Sequence, residues 1–156
     1  MLRHVALVIV AVITAVACSP SPTASGTARS DALIERARTD KAFDDVVFEL
    51  EFAITERNFR ITGRNTIGKG LRERGYDDFP DVEVIHFCNL EYARLVLEID
   101  PGYVAQMPCR IAVHSAPEGT VISLILLPED HADARINAIL REIVEFVLEQ
   151  DAAAEK

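Results

Sequence analysis

An almost wholly apolar run, TVISLILL at 120–127, constrains the fold more than any other part of the chain. A continuous apolar run of this length is typical of a strand that is buried on both faces or lies at the centre of a sheet. Pro128 ends the run, because proline cannot donate to a ladder of backbone hydrogen bonds. The turn sequence APEG at 116–119 precedes it, and CRIAV at 109–113 forms the strand before that turn. The two strands are therefore predicted to form a tight hairpin.

The remaining strands are predicted from β-rich or alternating sequences, at 32–38 (an edge strand), 59–65 and 82–88. In the last of these, VEVIHFC, period-two alternation predicts one face that carries Val82, Val84, His86 and Cys88.

Helices are predicted from apolar residues at i, i+3 and i+4 spacing, or from Gly-bounded helical turns, at about 39–57, 67–75, 90–99 and 129–150. Thr39 or Asp40 is the predicted N-cap of the first helix, and Asn89 caps the helix at 90–99. The last helix is expected to begin at about Glu129 and to end at about Gln150. The resulting order, β-α-β-(α)-β-α-β-β-α, favours an α+β fold in which helices pack on one face of a single sheet.

Residues 1–17 have the pattern of a secretory signal peptide. The basic start MLRH is followed by the apolar run VALVIVAVITAV, which is too short to span a bilayer, since a span needs about 20 apolar residues. Small residues then precede a cysteine in Ala15-Val16-Ala17-Cys18, which resembles the lipobox of bacterial lipoproteins. The resemblance implies cleavage before Cys18 and its diacylation with chains such as palmitate, which anchor a protein stably. The alternative is an ordinary secretory signal that leaves Cys18 as a free thiol.

Residues 18–30 are predicted to form a lipid-anchored flexible tether, because SPSPTASGTARS is rich in Ser, Pro and Thr and has no apolar periodicity. The folded domain is then expected at 31–152. Ser19 follows the cysteine, which in a host with two membranes looks like a signal for the outer membrane. We therefore expect a protein of the cell envelope, anchored to the membrane by its N-terminal lipid and facing the periplasm if the host is diderm.

The formal net charge of −9 limits the partners of the chain. Binding to nucleic acid needs clustered Lys and Arg for phosphate contacts, so no nucleic-acid partner is expected. For the same reason, charge is not expected to draw the protein to anionic lipid.

Three segments, DKAFDDVVFELEFAITERNFRI, IHFCNLEYARLVLEIDP and MPCRIAVHSAPEGTVISLILLP, are similar to the bacterial domain-of-unknown-function 302 family. The family hallmarks are matched at Cys88-Asn89 and at Pro108-Cys109-Arg110, and the likeness covers about residues 32–150. The resemblance implies an α+β fold of the β-α-β(4)-α type with a curved, mostly antiparallel sheet. It implies no activity.

The family fold makes the strands of Cys88 and Cys109 antiparallel neighbours, so both cysteines are expected at the same end of the sheet and on a face with core residues. Four interpretations then stay open. The pair forms a structural disulfide, as an oxidising envelope allows, or both are thiols that pack as small apolar residues. Alternatively they form a redox or soft-metal site, for which His86 and Met107 are further candidate ligands. In the fourth interpretation, one cysteine is a nucleophile that His86 or Arg110 activates.

No catalytic constellation is recognised in the sequence, and no cofactor is predicted apart from this soft metal ion. Asn89 and Arg110 are the candidate ligand-binding residues, although a surface ion pair is the simpler expectation for Arg110. The favoured function is a non-enzymatic envelope lipoprotein whose domain binds a partner or a small ligand. A homodimer through an exposed sheet edge is a further expectation. The alternative is a thiol-redox or soft-metal-handling protein that uses Cys88 and Cys109.

Overall fold

The structure of the protein, a computed structural model, describes residues 33–128 and 134–154. The predicted signal peptide at 1–17, the candidate lipidation site Cys18 and the tether at 19–30 lie outside these residues. The predicted start of the last helix at Glu129 also lies outside them.

The described chain forms five strands and four α-helices, with a 3-10 helix between the third helix and the fourth strand. The strands are β1 (Ile34–Thr39), β2 (Arg60–Asn65), β3 (Val82–Cys88), β4 (Cys109–Ala116) and β5 (Gly119–Ile125). The helices are α1 (Phe43–Glu56), α2 (Ile67–Arg72), α3 (Leu90–Ile99), the 3-10 helix (Pro101–Gln106) and α4 (Ala134–Ala154).

The five strands join one sheet in the order β1-β5-β4-β3-β2, and every neighbouring pair is antiparallel. The predicted α+β fold of the β-α-β(4)-α type is therefore confirmed, with α2 and α3 as helical insertions, and so is the hairpin of β4 and β5. The central strand is β4, whereas β5 is the inner strand beside β1. Burial of β5 on both faces is confirmed for three consecutive residues, Thr120, Val121 and Ile122.

The two long helices, α1 and α4, contact each other and pack on one face of the sheet. Apolar residues that repeat every three or four positions turn one stripe of each helix inward. Fully buried side chains in these layers are Val46, Leu50 and Ile54 of α1, Leu140, Ile143 and Val147 of α4, and Ile85, Ile111 and Ile122 of the sheet. The described residues of the helices and the sheet therefore share one hydrophobic core.

The structure corrects the predicted N-cap of α1. The helix begins at Phe43 behind Ala42, which has no capping side chain, and not behind Thr39 or Asp40. Thr39 is the last residue of β1, where it pairs with Thr120 of β5 and is buried. Strand pairing, which helix propensity does not register, therefore keeps Thr39 out of the helix.

Two helical features extend beyond the predicted ones. The 3-10 helix follows α3 directly, and Asp100 caps it, since its Oδ1 accepts a hydrogen bond from the N–H of Gly102 at 2.8 Å. Helix α4 runs to Ala154, past the predicted end at Gln150. None of the described helices is both long and apolar enough to cross a membrane.

Candidate functional site

Asn89 lies between β3 and α3 and fixes the start of the helix. Its Oδ1 accepts hydrogen bonds from the backbone N–H groups of Glu91 at 2.9 Å and Tyr92 at 3.3 Å, which confirms the predicted N-cap. Its Nδ2 donates to the carbonyl oxygen of Asn58 at 3.0 Å. Asn58 has a φ of 59° in the turn between α1 and β2. One amide therefore caps α3 and joins it to a turn 31 positions earlier in the chain.

Cys109 opens β4 directly behind Pro108, whose preceding peptide bond is cis. Cys109 pairs with Phe87 across the antiparallel ladder of β3 and β4. Because residues directly opposite each other in such a ladder point to the same face, Cys109 shares the helix-covered face with Phe87. Arg110 pairs with His86 and therefore points to the opposite face.

The two cysteines lie at the same end of the sheet, as antiparallel strands require. The prediction that both share a face with core residues is wrong for Cys88. Its neighbour Phe87 is the fully buried residue, and side chains alternate along a strand. Both Cys88 and Cys109 are free thiols in this structure, and alternation places them on opposite faces of the sheet.

The core face of β3 also includes Glu83, whose side chain is buried. Arg64 of β2 contacts this carboxylate and also pairs with Glu51 of α1 at 2.8 Å. The partner matters because an unpaired buried carboxylate is strongly destabilising. A face that bears a glutamate can therefore still be the core face.

Burial raises the pKa of the Cys109 thiol to about 11, and the charge of a nearby Cys88 thiolate adds to the rise. Burial also raises the pKa of Cys88. Both thiols are therefore protonated at neutral pH, whereas a nucleophile must be a thiolate. Of the four interpretations, the structure favours two thiols that pack as small apolar groups.

A cavity opens at the end of the sheet where the cysteines lie. The cavity volume is about 110 Å³, and the cavity is partly open to solvent. It lies between the ends of β3 and β5 and the starts of β4, α3 and α4. Much of its wall is apolar or aromatic, and consists of Phe59, Tyr92, Val96, Tyr103, Leu126 and Ile136.

Five of the six candidate residues named from the folded part of the sequence line this cavity, namely Cys88, Asn89, Met107, Cys109 and Arg110. The two hallmark elements are 20 residues apart in sequence and meet because β3 and β4 are antiparallel neighbours. Although Cys88 and Cys109 lie on opposite faces of the sheet, both line the cavity, because the cavity extends around the ends of the strands.

Arg110 is the charged residue among those that line the described cavity. Its side chain forms no hydrogen bond or ion pair with any residue in the described ranges, so the surface ion pair expected for it is not found there. An arginine that borders an apolar cavity without a carboxylate partner is available to an anionic group of a ligand.

His86 does not line the cavity. Its Nε2 lies 3.2 Å from Nδ2 of Asn65 on β2, on the face of the sheet that α1 and α4 leave uncovered. Within residues 33–128 and 134–154, no three His, Cys, Asp or Glu side chains converge on a point that could hold a metal ion. A soft-metal site that combines His86 with both cysteines therefore gains no support from the geometry, whereas Met107, the other candidate ligand, lines the cavity with the two cysteines.

The residues that close the cavity were not identified from the sequence. Tyr103 of the 3-10 helix is buried, and the ring of Phe59 contacts Phe87 edge-on at 5.4 Å and Tyr92 at 5.6 Å between ring centroids. The sequence Asp100-Pro101-Gly102 does carry a usable signal, because an Asp cap before a proline starts a helix. No local pattern shows that the aromatic rings converge, since they come from separate elements.

Comparison with known proteins agrees with this fold. The family model described as "Domain of unknown function DUF302" matches residues 35–153. The crystal structure of an uncharacterized conserved DUF302 protein from Bacillus stearothermophilus is similar, with a TM-score of 0.58 and 18% sequence identity, over 75% of this chain and 94% of that chain. A search of the curated proteins finds no match. Because the family model covers most of the chain, the protein belongs to the DUF302 family, a domain of unknown function.

Proposed function

We propose that the domain is a non-catalytic binding module, which takes a small amphipathic carboxylic acid into the cavity at the end of the sheet. The observation that carries this proposal is Arg110, a charged residue without an ion-pair partner in the described residues, at the wall of a largely apolar cavity. The protonated thiols of Cys88 and Cys109 support a binding role over thiol chemistry.

The ligand class follows from the two kinds of wall. Apolar side chains suit an acyl chain or a ring system, because burial of each methylene is worth about 0.8 kcal/mol. The guanidinium of Arg110 suits a carboxylate, which it can bind through two parallel hydrogen bonds. Asn89 contributes less, since both ends of its amide already bond to the backbone. An apolar body with one negative end therefore matches the cavity.

We further propose that a lipid on Cys18 holds this module at the cell envelope. Leu33, where the described chain begins, lines the cavity, so the tether at 18–30 joins the domain beside the site. The anchor would therefore keep the cavity near the membrane, where amphipathic acids concentrate.

The test measures the fluorescence of the fatty-acid probe 11-(dansylamino)undecanoic acid with the purified domain 31–156. This part can be studied alone, because it holds the described hydrophobic core and because the matched fold makes up 94% of the Bacillus chain. We expect saturable binding that decanoic acid displaces better than decanol, since the alcohol lacks the charge.

Two matched variants distinguish the effect of the Arg110 charge on probe binding from the effect of removing any positive charge. Arg110→Gln should weaken probe binding about tenfold or more, because a charge-assisted hydrogen bond is lost. Arg60→Gln removes an arginine that does not line the cavity and should leave the affinity unchanged. Probe binding that is not saturable, or that Arg110→Gln leaves intact, would rule the proposal out.

A further inference from the structure

The face of the sheet turned away from α1 and α4, called the open face below, carries an unusual set of charges. Arg36 pairs with Ser123, which pairs with Ala112, so one row of side chains crosses this face from β1 to β4. The same register places on the open face Arg36, Arg38, Arg60, Val82, Val84, His86, Arg110, Ala112, His114, Val121 and Ser123. Among the strand positions that point to this face, none is Asp or Glu, although the chain has a net charge of −9.

The open-face arginines differ from most arginines elsewhere in the described structure, and among the others Arg74 donates to the carbonyl oxygen of Gly70. A carboxylate partner is found for Arg57, Arg64, Arg72, Arg94 and Arg141. The side chains of Arg36, Arg38, Arg60 and Arg110 form no hydrogen bond or ion pair to a described residue. In a chain with an excess of carboxylates, four unpaired arginines on one face point to an anionic partner from outside the domain.

We propose that the open face docks on an anionic lipid bilayer. The proposal rests on the envelope anchor proposed above, because the membrane is the anionic surface that the chain itself would keep close. The tether at 19–30 leads into β1, which bears Arg36 and Arg38, and a flexible chain of this length spans only about 20 Å. A basic patch and a lipid are the two signals that together give stable membrane binding.

The arrangement of charge argues against a second copy of the chain as the occupant. Two open faces packed on each other would bring arginines against arginines, since neither face has a strand carboxylate to offer. The β2 edge of the sheet also discourages pairing between copies. Edge strand β2 has a register shift between Ile61 and Gly63, and its Arg60 and Arg64 are exposed, and such features hinder edge-to-edge association.

The net charge does not by itself prevent docking, because part of the acidic charge lies on the helical side of the sheet. Asp44 and Asp45 of α1 and Glu142 and Glu145 of α4 are exposed in the helical layer, on the other side of the sheet. At physiological ionic strength the screening length is about 8 Å. A surface in contact with the open face therefore interacts mainly with the arginines. The net charge alone led to the opposite expectation, that charge would not draw the protein to anionic lipid.

The test is co-sedimentation of the domain 31–156, which lacks the anchor, with vesicles of phosphatidylcholine alone or mixed with phosphatidylglycerol. We expect binding to the anionic vesicles only, which weakens steeply as salt is added. Replacement of Arg36, Arg38 and Arg60 together by Gln should lower the partition coefficient about 100-fold, since each arginine near the surface contributes about fivefold. The control variant, with Gln at Arg72, Arg94 and Arg141, removes equal charge from paired positions and should bind nearly as well as the parent.

Equal binding to both kinds of vesicle, or equal losses in the two triple variants, would overturn the proposal. A dimer in solution that the open-face variant abolishes, with no vesicle binding, would assign the face to a second copy and overturn it as well. The open-face variant keeps Arg110, so it should still bind the fatty-acid probe. The bilayer proposal and the cavity proposal can therefore fail separately, and circular dichroism checks that each variant is folded.

Discussion

The side-chain amide of Asn137 exchanges two hydrogen bonds with the backbone of Leu127. Its Oδ1 accepts from the N–H of Leu127 and its Nδ2 donates to the carbonyl oxygen, both at 2.9 Å. Asn137 is buried in the first turns of α4, and Leu127 follows β5. The amide therefore acts as a short piece of backbone, which joins the helix to the end of the strand. Leu127 and Ile136 both line the cavity, so this junction also shapes the candidate site.

Asn137→Ala should lower the free energy of unfolding by about 2–4 kcal/mol, because it leaves two backbone groups of Leu127 unsatisfied in a partly buried place. Urea titration followed by circular dichroism measures the change. The neighbouring Ala138 is exposed, so Ala138→Ser should change stability by less than about 0.5 kcal/mol. A stability of Asn137→Ala equal to that of the parent would contradict this account of the junction.

Asn89→Ala should cost about 1–2 kcal/mol of stability, because α3 loses its cap and the bond to Asn58 disappears as well. Asn89→Asp keeps an acceptor for the helix N–H groups and loses only the donor to the Asn58 carbonyl. Its stability, from the same urea titrations, should therefore fall between the parent and the alanine variant. If both variants are equally destabilised, the cap is not the main role of this side chain.

The raised pKa of Cys109 predicts that the folded protein loses stability at high pH. Its pKa is raised from 9.0 to about 11 in the folded protein, so the unfolded chain releases this proton first as the pH rises. The free energy of unfolding should therefore fall between about pH 9 and pH 11, and the contribution of Cys109 should be intact below pH 9. Each pKa unit is worth about 1.4 kcal/mol, so Cys109 accounts for about 2–3 kcal/mol. Urea titrations of the parent and Cys109→Ala from pH 7 to pH 11, with reductant present, measure the difference, and parallel pH profiles would be the contrary result.

The sulfur atoms of Cys88 and Cys109 are expected to stay unbonded, because strand alternation directs the two side chains to opposite faces. The domain 31–156 should yield two thiols per chain when it is unfolded in a thiol-reactive dye, whether or not it was first exposed to reductant. Under native conditions the dye should react slowly with Cys109, whose thiol is buried and protonated. A count of zero thiols without reductant would instead establish the disulfide.

Gly119→Ala should destabilise the β4–β5 hairpin by about 2 kcal/mol or more. Gly119 has a φ of 92°, and an added Cβ would overlap the carbonyl oxygen of Thr39. Gly63 in β2 is the matched control, because a Cβ there meets no atom within 4 Å. Gly63→Ala should change stability by less than about 1 kcal/mol. Thermal unfolding of the two variants measures both effects, and similar melting temperatures would argue against the close approach of Gly119 to β1.

Local patterns in the sequence were sufficient for most of the elements. Period-two alternation located β3 and β4, and apolar spacing located α1 and α3, because these signals depend only on residues near in sequence. Asn89 was recognisable as a cap for the same reason, since its partners Glu91 and Tyr92 follow it directly. The hallmark residues were named from the sequence and lie together at the cavity, but the aromatic wall around Tyr103 was not named.

By itself the sequence determined the five strands, the four α-helices and the α+β class, and it predicts an N-terminal anchor at residues outside the described ones. Only the tertiary structure decided which face of β3 is covered, because VEVIHFC offers apolar residues on both faces. The choice depends on register with β4, where Ile85 pairs with Ile111 and Phe87 with Cys109, and on the helices packed above them. The same long-range pairing brings the residues that line the cavity together and places Arg36 and Arg110 on one uncovered face. Neither arrangement can be read from residues that are near one another in sequence.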